Sequence, residues 1–413
     1  MKPYKNLRTL LDTCPADVVV LTMPNGLHHE QSIQEKDIDV VASNKPNGVI
    51  PLFKVFMPPE APVMVSDTLA SGFLAEGEKV KAFAAEIGRF IGNPRVVPVN
   101  SCTMALTIAF KLAGVGPDTE VISTPLTCVA GNEPICTLGG RPVWADVDRA
   151  TGMVTADTIE PLITAKTRAI YILHKEGAPA EVENIYALAK TYGLRVVEDA
   201  AHAFGAKRRD NRIGAIGDLV CFSFQAIKHI TTGDGGALLC GNEDDYQRAK
   251  KAKWFGIDRD AREGRDVWRE DITDWGFKGN MNDIAGTLGL AQIKHIDWIL
   301  DRFHRNGRRY DALLQDVSGI QTLRRDPLDY QTYWGYTILV ENRDAVLAAL
   351  AEAGITASQI HVRNDHYSMF GADRRNLPNT DWFDARELSI PCGWWVGQED
   401  QDRIIDVLKK AVR

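Results

Sequence analysis

From Val49 onward, short and continuously apolar runs alternate with amphipathic stretches. The runs Arg95–Val99, Glu120–Ser123, Pro142–Ala145, Ala169–Leu173, Arg195–Glu198, Val220–Phe224 and Gly236–Cys240 lack the in–out alternation of a half-exposed strand. They predict strands buried on both faces. Between them, Met104–Ala113, Thr158–Ile163 and Ile185–Tyr192 place apolar residues on one helical face. Strand and helix in alternation predict an α/β fold with a mostly parallel central sheet covered by helices. After about residue 250 the pattern changes. A long helical stretch over Asn282–Leu314 leads into a strand over Tyr333–Val340, a helix over Asp344–Ala353, a strand over Gln359–His361 and a last helix from Glu399 to Val412. This tail reads as a smaller C-terminal α/β domain.

The first residues stand apart. Asp17-Val18-Val19-Val20-Leu21 predicts a short buried strand, the turn Thr22-Met23-Pro24-Asn25-Gly26 follows, and a helix starts near His28. The turn-rich run Ser43-Asn44-Lys45-Pro46-Asn47-Gly48 marks a boundary. The predicted organisation is an N-terminal extension (1–47), a large domain (48–255), and a helical connection with a small domain (256–413). A chain of 413 residues is longer than one core normally supports, which agrees with that division.

Composition narrows the function classes. The net charge of −7 and the lack of a basic stripe argue against nucleic acid as a partner. The seven cysteines are odd in number and form no C-x-x-C pair, which argues against a disulfide framework and a structural zinc site. His28 and His29 are adjacent, but no cysteine or carboxylate cluster at ligand spacing surrounds them, so no metal is expected. No apolar run is long enough to span a membrane, and no cleavable leader is evident, so a cytoplasmic enzyme is expected.

Three segments carry chemistry. In Phe222-Ser223-Phe224-Gln225-Ala226-Ile227-Lys228, a strand end delivers Ser223 and Lys228 into a turn that continues to Gly233-Asp234-Gly235-Gly236. Ligands of open α/β sheets sit beyond the carboxyl ends of strands, and a lysine there can form a Schiff base if its amine deprotonates readily. A solvated surface lysine is the alternative. In Glu198-Asp199-Ala200-Ala201-His202, a second strand ends in a carboxylate suited to a pyridinium nitrogen. Asp199 can equally cap a helix. His202, three residues on, is placed to reach a cofactor oxygen. In Val99-Asn100-Ser101-Cys102-Thr103-Met104, a polar turn opens an amphipathic helix whose free N–H groups suit a phosphate. Simple capping by Ser101 or Thr103 is the other reading.

Taken together, these segments resemble the DegT family of sugar aminotransferases, a branch of the fold-type I pyridoxal-phosphate enzymes. The resemblance runs from about residue 50 to 413 and includes Thr124-Pro125-Leu126-Thr127-Cys128, Gly276-Phe277-Lys278-Gly279-Asn280-Met281-Asn282-Asp283 and Ile390-Pro391-Cys392-Gly393-Trp394-Trp395. It implies pyridoxal phosphate as cofactor, bound to Lys228 as a Schiff base, with Lys228 also serving as general acid–base. It places Asp199 at the ring nitrogen and His202 at the ring hydroxyl. It places the backbone of Cys102 and Thr103, with the Ser223 hydroxyl, at the phosphate, and Cys128 at the ring-stacking position. It further implies a homodimer with shared active sites, in which Lys278 reaches the neighbouring subunit's phosphate.

Some positions depart from the family pattern. Lys278 stands where asparagine is common, and a point charge holds phosphate at least as well. Cys128 stands where an aromatic is common and covers less of the ring. Lys175 and Glu176 stand where an aromatic or glycine is usual; contact with the sugar or its partner is one reading, and solvated charges are the favoured expectation. His361, Arg363, Asp365 and His366 read equally as pocket lining or as a surface loop, while Trp394 and Trp395 are expected to pack between the domains. Residues Val18 to Gln31 resemble instead a fragment of the glucose–fructose oxidoreductase family. The Gly-rich loop such a domain needs is absent, so the extension reads as an inactive remnant.

The resemblance therefore implies transfer of an amino group, with glutamate the expected donor, to a 3-keto or 4-keto nucleotide-linked sugar for cell-surface polysaccharide or related glycan synthesis. Two alternatives stand. One is a sugar dehydratase on the same fold, in which histidine replaces the lysine and His229 is one residue away. The other is a non-catalytic regulator that kept the fold.

Overall fold

The computed structural model describes residues 48–260, 269, 271–371 and 376–413. The extension 1–47, with its expected strand, helix and remnant character, lies outside the described residues.

The central sheet has seven strands: β1 (Val96–Val99), β2 (Glu120–Ser123), β3 (Arg141–Trp144), β4 (Thr167–Leu173), β5 (Arg195–Asp199), β8 (Leu219–Ser223) and β9 (Gly236–Cys240), with a two-stranded ribbon of β6 (Lys207–Arg208) and β7 (Asn211–Arg212) between β5 and β8. Their order is β1-β9-β8-β5-β4-β2-β3. From β8 through β3 every pairing is parallel, and only β9 runs against its neighbours. The strands agree with the sequence expectation to within a residue or two because both faces are covered. Alternate residues of β4 feed separate cores: Ala169, Tyr171 and Leu173 pack with the helix Cys102–Leu112, whereas Ile170 and Ile172 pack with the helix Val182–Tyr192. Continuous apolar runs follow from that two-sided burial.

A second sheet of β10 (Ile320–Thr322), β11 (Tyr336–Val340) and β12 (Glu387–Ile390) is antiparallel throughout. Leu339 of β11, with Leu323 and Phe383, joins the core that lies beneath β4 and β5. Three tail expectations need correction. The long helical stretch is two helices, Asp283–Ile293 and Ile296–Leu314. The strand expected over Tyr333–Val340 begins only at Tyr336, because Tyr333 adopts φ 45 and turns the chain. The strand expected over Gln359–His361 is absent, and Ser358 makes only an isolated bridge to Ser389.

Parallel pairing brings the carboxyl ends of β1, β2, β4, β5 and β8 to one edge. There the turns after β1, β5 and β8 meet, and a segment at Trp334 and another at His361 close over them.

Candidate active site

Strand alternation sorts the two acids that end β5. Asp199 lies on the face of Val197, whereas Glu198 turns to the opposite face. Glu198 is consumed structurally: His174 Nε2 lies 2.9 Å away and Tyr186 OH donates to Oε1. Ala180 N–H donates to His174 Nδ1, so the ring proton is on Nε2 and donates to Glu198.

Asp199 keeps capacity to spare. Ala201 N–H donates to Oδ1 at 2.9 Å, and Tyr171 OH donates to Oδ2 at 2.8 Å. Tyr171 OH in turn accepts from Thr127 Oγ1 at 2.9 Å. Two acceptor sites remain on a buried carboxylate whose pKa is raised by burial, against the lowering effect of those two hydrogen bonds and of Lys228. Such a group gains from a cationic partner.

Lys228 projects into the same cavity of about 510 Å³. Desolvation brings its pKa down from 10.5 to about 8, with Asp199 the chief opposing influence. The indole of Trp334 lies 3.8 Å beneath Nζ and is fixed by Nε1–H donating to Ile227 O. Phe53 stacks on Trp334 at 4.7 Å, and His202 stacks on it at 3.9 Å. His202 is buried, its Nδ1 has no partner among the described residues, and its Nε2 lies 3.5 Å from His361 Nε2. Burial, then the charge of Lys228, keeps the His202 ring neutral. Neighbouring His229 points elsewhere: its Nε2–H donates to Thr332 O at 3.0 Å, burial lowers its pKa to about 4, and it does not line the cavity. The one-residue slip that would substitute histidine for the anchor lysine is therefore not what the fold presents.

The anion cradle is built around Gly236. This residue pairs with Ser223 on one side and Val99 on the other. A Cβ on it would lie 2.6 Å from Cys102 N, so glycine is required for the β1 turn to approach. Ser101 Oγ caps the helix by accepting from Met104 N–H. Cys102 and Thr103 open the helix Cys102–Leu112 with amides that have no intrahelical acceptor. Ser223 Oγ accepts from Gln225 N–H, which leaves its own proton free to donate.

This donor set fits pyridoxal phosphate. It offers an easily deprotonated amine, a buried carboxylate with free lone pairs, an unpartnered imidazole nitrogen, and a hydroxyl beside a free helix N-terminus.

Of the eight residues singled out from the sequence, seven line this cavity: Cys102, Thr103, Cys128, Asp199, His202, Ser223 and Lys228. Lys278 does not. It is exposed, and its Nζ bonds Asn280 Oδ1 within the same turn. His361 lines the cavity, but Arg363 is held by Asp365 and Asp381, so the polar stretch does not act as a unit. Lys175 and Glu176 correct the expectation of solvated charges: both are buried, and Lys175 Nζ lies 3.0 Å from Glu387 Oε2. Trp394 and Trp395 pack on the segment 51–54 through their indole N–H groups and stay outside the cavity. Sequence reasoning missed Tyr171, Phe53 and Trp334. A tyrosine in an aliphatic strand, two residues from its end, was a signal for the first.

The chain as a whole is similar to known proteins. The model of the DegT/DnrJ/EryC1/StrS aminotransferase family matches residues 59–409. The spore coat polysaccharide biosynthesis protein SpsC of Bacillus subtilis is 31% identical over 363 residues, spanning 84% of this chain and 93% of that protein. Among solved structures, AtS13 of Actinomadura melliaura is 36% identical with a TM-score of 0.84, covering 88% of this chain and 98% of that one. The sugar aminotransferase CalS13 of Micromonospora echinospora is 35% identical with a TM-score of 0.83, covering 87% and 99%. Spr1654 of Streptococcus pneumoniae, described as a sugar aminotransferase and solved in its PLP form, is 26% identical with a TM-score of 0.80, covering 88% and 98%.

Proposed function

We propose, from the premise that this chain belongs to the DegT/DnrJ/EryC1/StrS family and is a pyridoxal-phosphate-dependent sugar aminotransferase, that it moves an amino group from glutamate to a 3-keto or 4-keto sugar carried on a nucleotide. The product is an amino sugar for a surface polysaccharide or related glycan, made in the cytoplasm. The likeness to SpsC supports the polysaccharide setting. The observation that carries the reading is the placement of Lys228 and Asp199 in one cavity beside a free helix N-terminus.

When bound, pyridoxal phosphate supplies an electron sink that lets nitrogen pass between two carbons. Lys228 Nζ, with its pKa brought to about 8, holds the cofactor and later takes and returns the proton at the reacting carbon. The Asp199 carboxylate would pair with the ring nitrogen, and Tyr171 and Ala201 fix its plane. His202, which lines the cavity, would stand near the ring hydroxyl. The amides of Cys102 and Thr103 and the hydroxyl of Ser223 would hold the phosphate, and Cys128 would stand at the ring face. Trp334 and Phe53 exclude water from the lysine side. The dehydratase alternative requires a histidine at the anchor, and His229 faces the core instead.

Assaying 3-keto and 4-keto nucleotide sugars with glutamate tests the substrate class. Formation of 2-oxoglutarate and an amino sugar from one of them is expected. Loss of a hydroxyl without nitrogen transfer would establish the dehydratase, and no bleaching of the cofactor by any amino donor would favour the regulator.

The cavity also supports a shared site. Among its described lining residues Lys228 is the only lysine or arginine, so these residues offer a bound phosphate no cation besides the anchor. Lys278 of a second copy would supply it, and the exposed Trp275 and Ile272 beside it provide apolar contact surface. Co-expressed Lys228→Ala and Lys278→Ala chains should recover activity that neither homodimer has, because one hybrid site regains both lysines. No recovery would mean that each chain completes its own site.

A further inference from the structure

The proposed reaction leaves a buried charge cluster unused. Lys175 and Glu176 lie just past His174 at the end of β4, and Glu176 holds the left-handed backbone at φ 54. Left-handed geometry at a residue other than glycine is costly and is kept where surrounding contacts enforce it. Gly177 explains the enforcement. A Cβ there would lie 2.4 Å from Thr332 Oγ1 and 3.0 Å from His202 O, so the turn is pressed against the segment that carries Trp334.

Lys175 Nζ is paired with Glu387 Oε2, and Gln359 Nε2–H donates to Glu387 Oε1. That pair is neutral as a unit. Glu176 is 4% exposed, and its Oε2 has no hydrogen-bond partner among the described residues. The carboxyl rests on Gly335, where a Cβ would fall 2.1 Å from Oε2. Gly335 adjoins Trp334, whose ring covers Lys228 Nζ. An ionised Glu176 would thus add one unbalanced negative charge behind the wall of the cavity.

Burial works against that charge. Lys175 from its own segment, Lys228 from the turn after β8 and Arg325 from the stretch before Trp334 favour it, while Glu387 of β12 opposes it; the net result is titration at about 7. Asp384 acts on the same cluster through Lys175, and Asp311 holds Arg325. The influence is mutual, since Glu176 is among the groups that raise the proton affinity of Lys228.

We propose that Glu176 is a positioning residue that sets the proton affinity of the Lys228 nitrogen from behind Trp334, acting as a buried charge that appears as its carboxyl ionises. With Glu176 neutral, the nitrogen gives up its proton readily. With Glu176 ionised, the nitrogen holds it. The proposal rests on Lys228 being the cofactor anchor.

The test is a pH titration of the visible absorbance of the lysine-bound cofactor in the holoenzyme. Glu176→Gln keeps the shape and is neutral at every pH. The midpoint of the colour change should fall by about 0.5–1 pH unit in this variant. Glu176→Met, apolar and of similar length, should give the same shift, which keeps the test decisive if glutamine folds poorly. An unmoved midpoint in either folded variant overturns the proposal. Thermal stability provides a second readout. The folded carboxyl ionises at higher pH than the unfolded one, so wild type should lose stability relative to Glu176→Gln as pH rises from about 4.5 through about 7. Parallel stability curves would show that Glu176 is not a buried titrating group. Borohydride fixation separates the two ways of failing. A label on Lys228 with an unmoved midpoint discards only the role of Glu176, whereas a label elsewhere discards the anchor.

Discussion

Replacing Lys228 with alanine is expected to lower amino transfer by about 10⁴-fold. One group is asked both to bind the cofactor covalently and to carry the proton. The loss should be chemical rather than structural, because Lys228 makes its main contact with the face of Trp334, whose indole N–H stays bonded to Ile227 O without it. Melting temperature should therefore change little. Reduction of wild-type holoenzyme with borohydride should fix the cofactor on the peptide containing Lys228, and the alanine variant should yield no fixed cofactor. A covalent adduct that survives in Lys228→Ala would remove the residue from its role. The neighbouring substitution His229→Asn serves as contrast. His229 binds Thr332 O inside the core, so it should cost stability rather than the adduct.

The second large effect is expected at Asp199. Asparagine keeps the acceptor for Ala201 N–H but removes the charge that would stabilise a protonated ring nitrogen. Preorganised charges of this kind are typically worth about 10²–10³-fold in rate. Asp199→Asn should lose about that much turnover, with a changed cofactor spectrum and retained binding of the phosphate at Cys102, Thr103 and Ser223. Because burial raises the pKa of Asp199, removing the charge also removes a desolvation penalty, so the apoprotein should be no less stable than wild type. Unchanged turnover in a variant that still binds cofactor would mean that the ring nitrogen lies elsewhere.

The parts of this site that were legible in the sequence are those written in single turns. Ser101-Cys102-Thr103, Asp199 with His202, and Ser223 with Lys228 each occupy one strand end, so local spacing was enough. The central strands were legible because two-sided burial leaves an unbroken apolar run. Tyr171 was hidden for the opposite reason. Its hydroxyl meets Asp199 only through the register of β4 on β5, which no local pattern encodes. Trp334 and Phe53 reach the cavity from distant segments in the same way. Lys175 and Glu176 run against expectation because charged residues default to solvent, whereas Glu387, the partner of Lys175, sits on the second sheet. The break between the two helices at Lys294 and His295 has no glycine or proline to announce it.

The most direct test of the account is nitrogen tracing through the two half-reactions. Holoenzyme is mixed with ¹⁵N-glutamate, freed of excess donor, and then given the accepting keto-sugar nucleotide. Glutamate alone should bleach the lysine-bound cofactor's visible absorbance and release 2-oxoglutarate. The keto-sugar should then restore the absorbance and emerge carrying ¹⁵N in place of its ketone oxygen. A sugar that leaves without the label, or absorbance that no amino donor changes, would contradict amino transfer at Lys228.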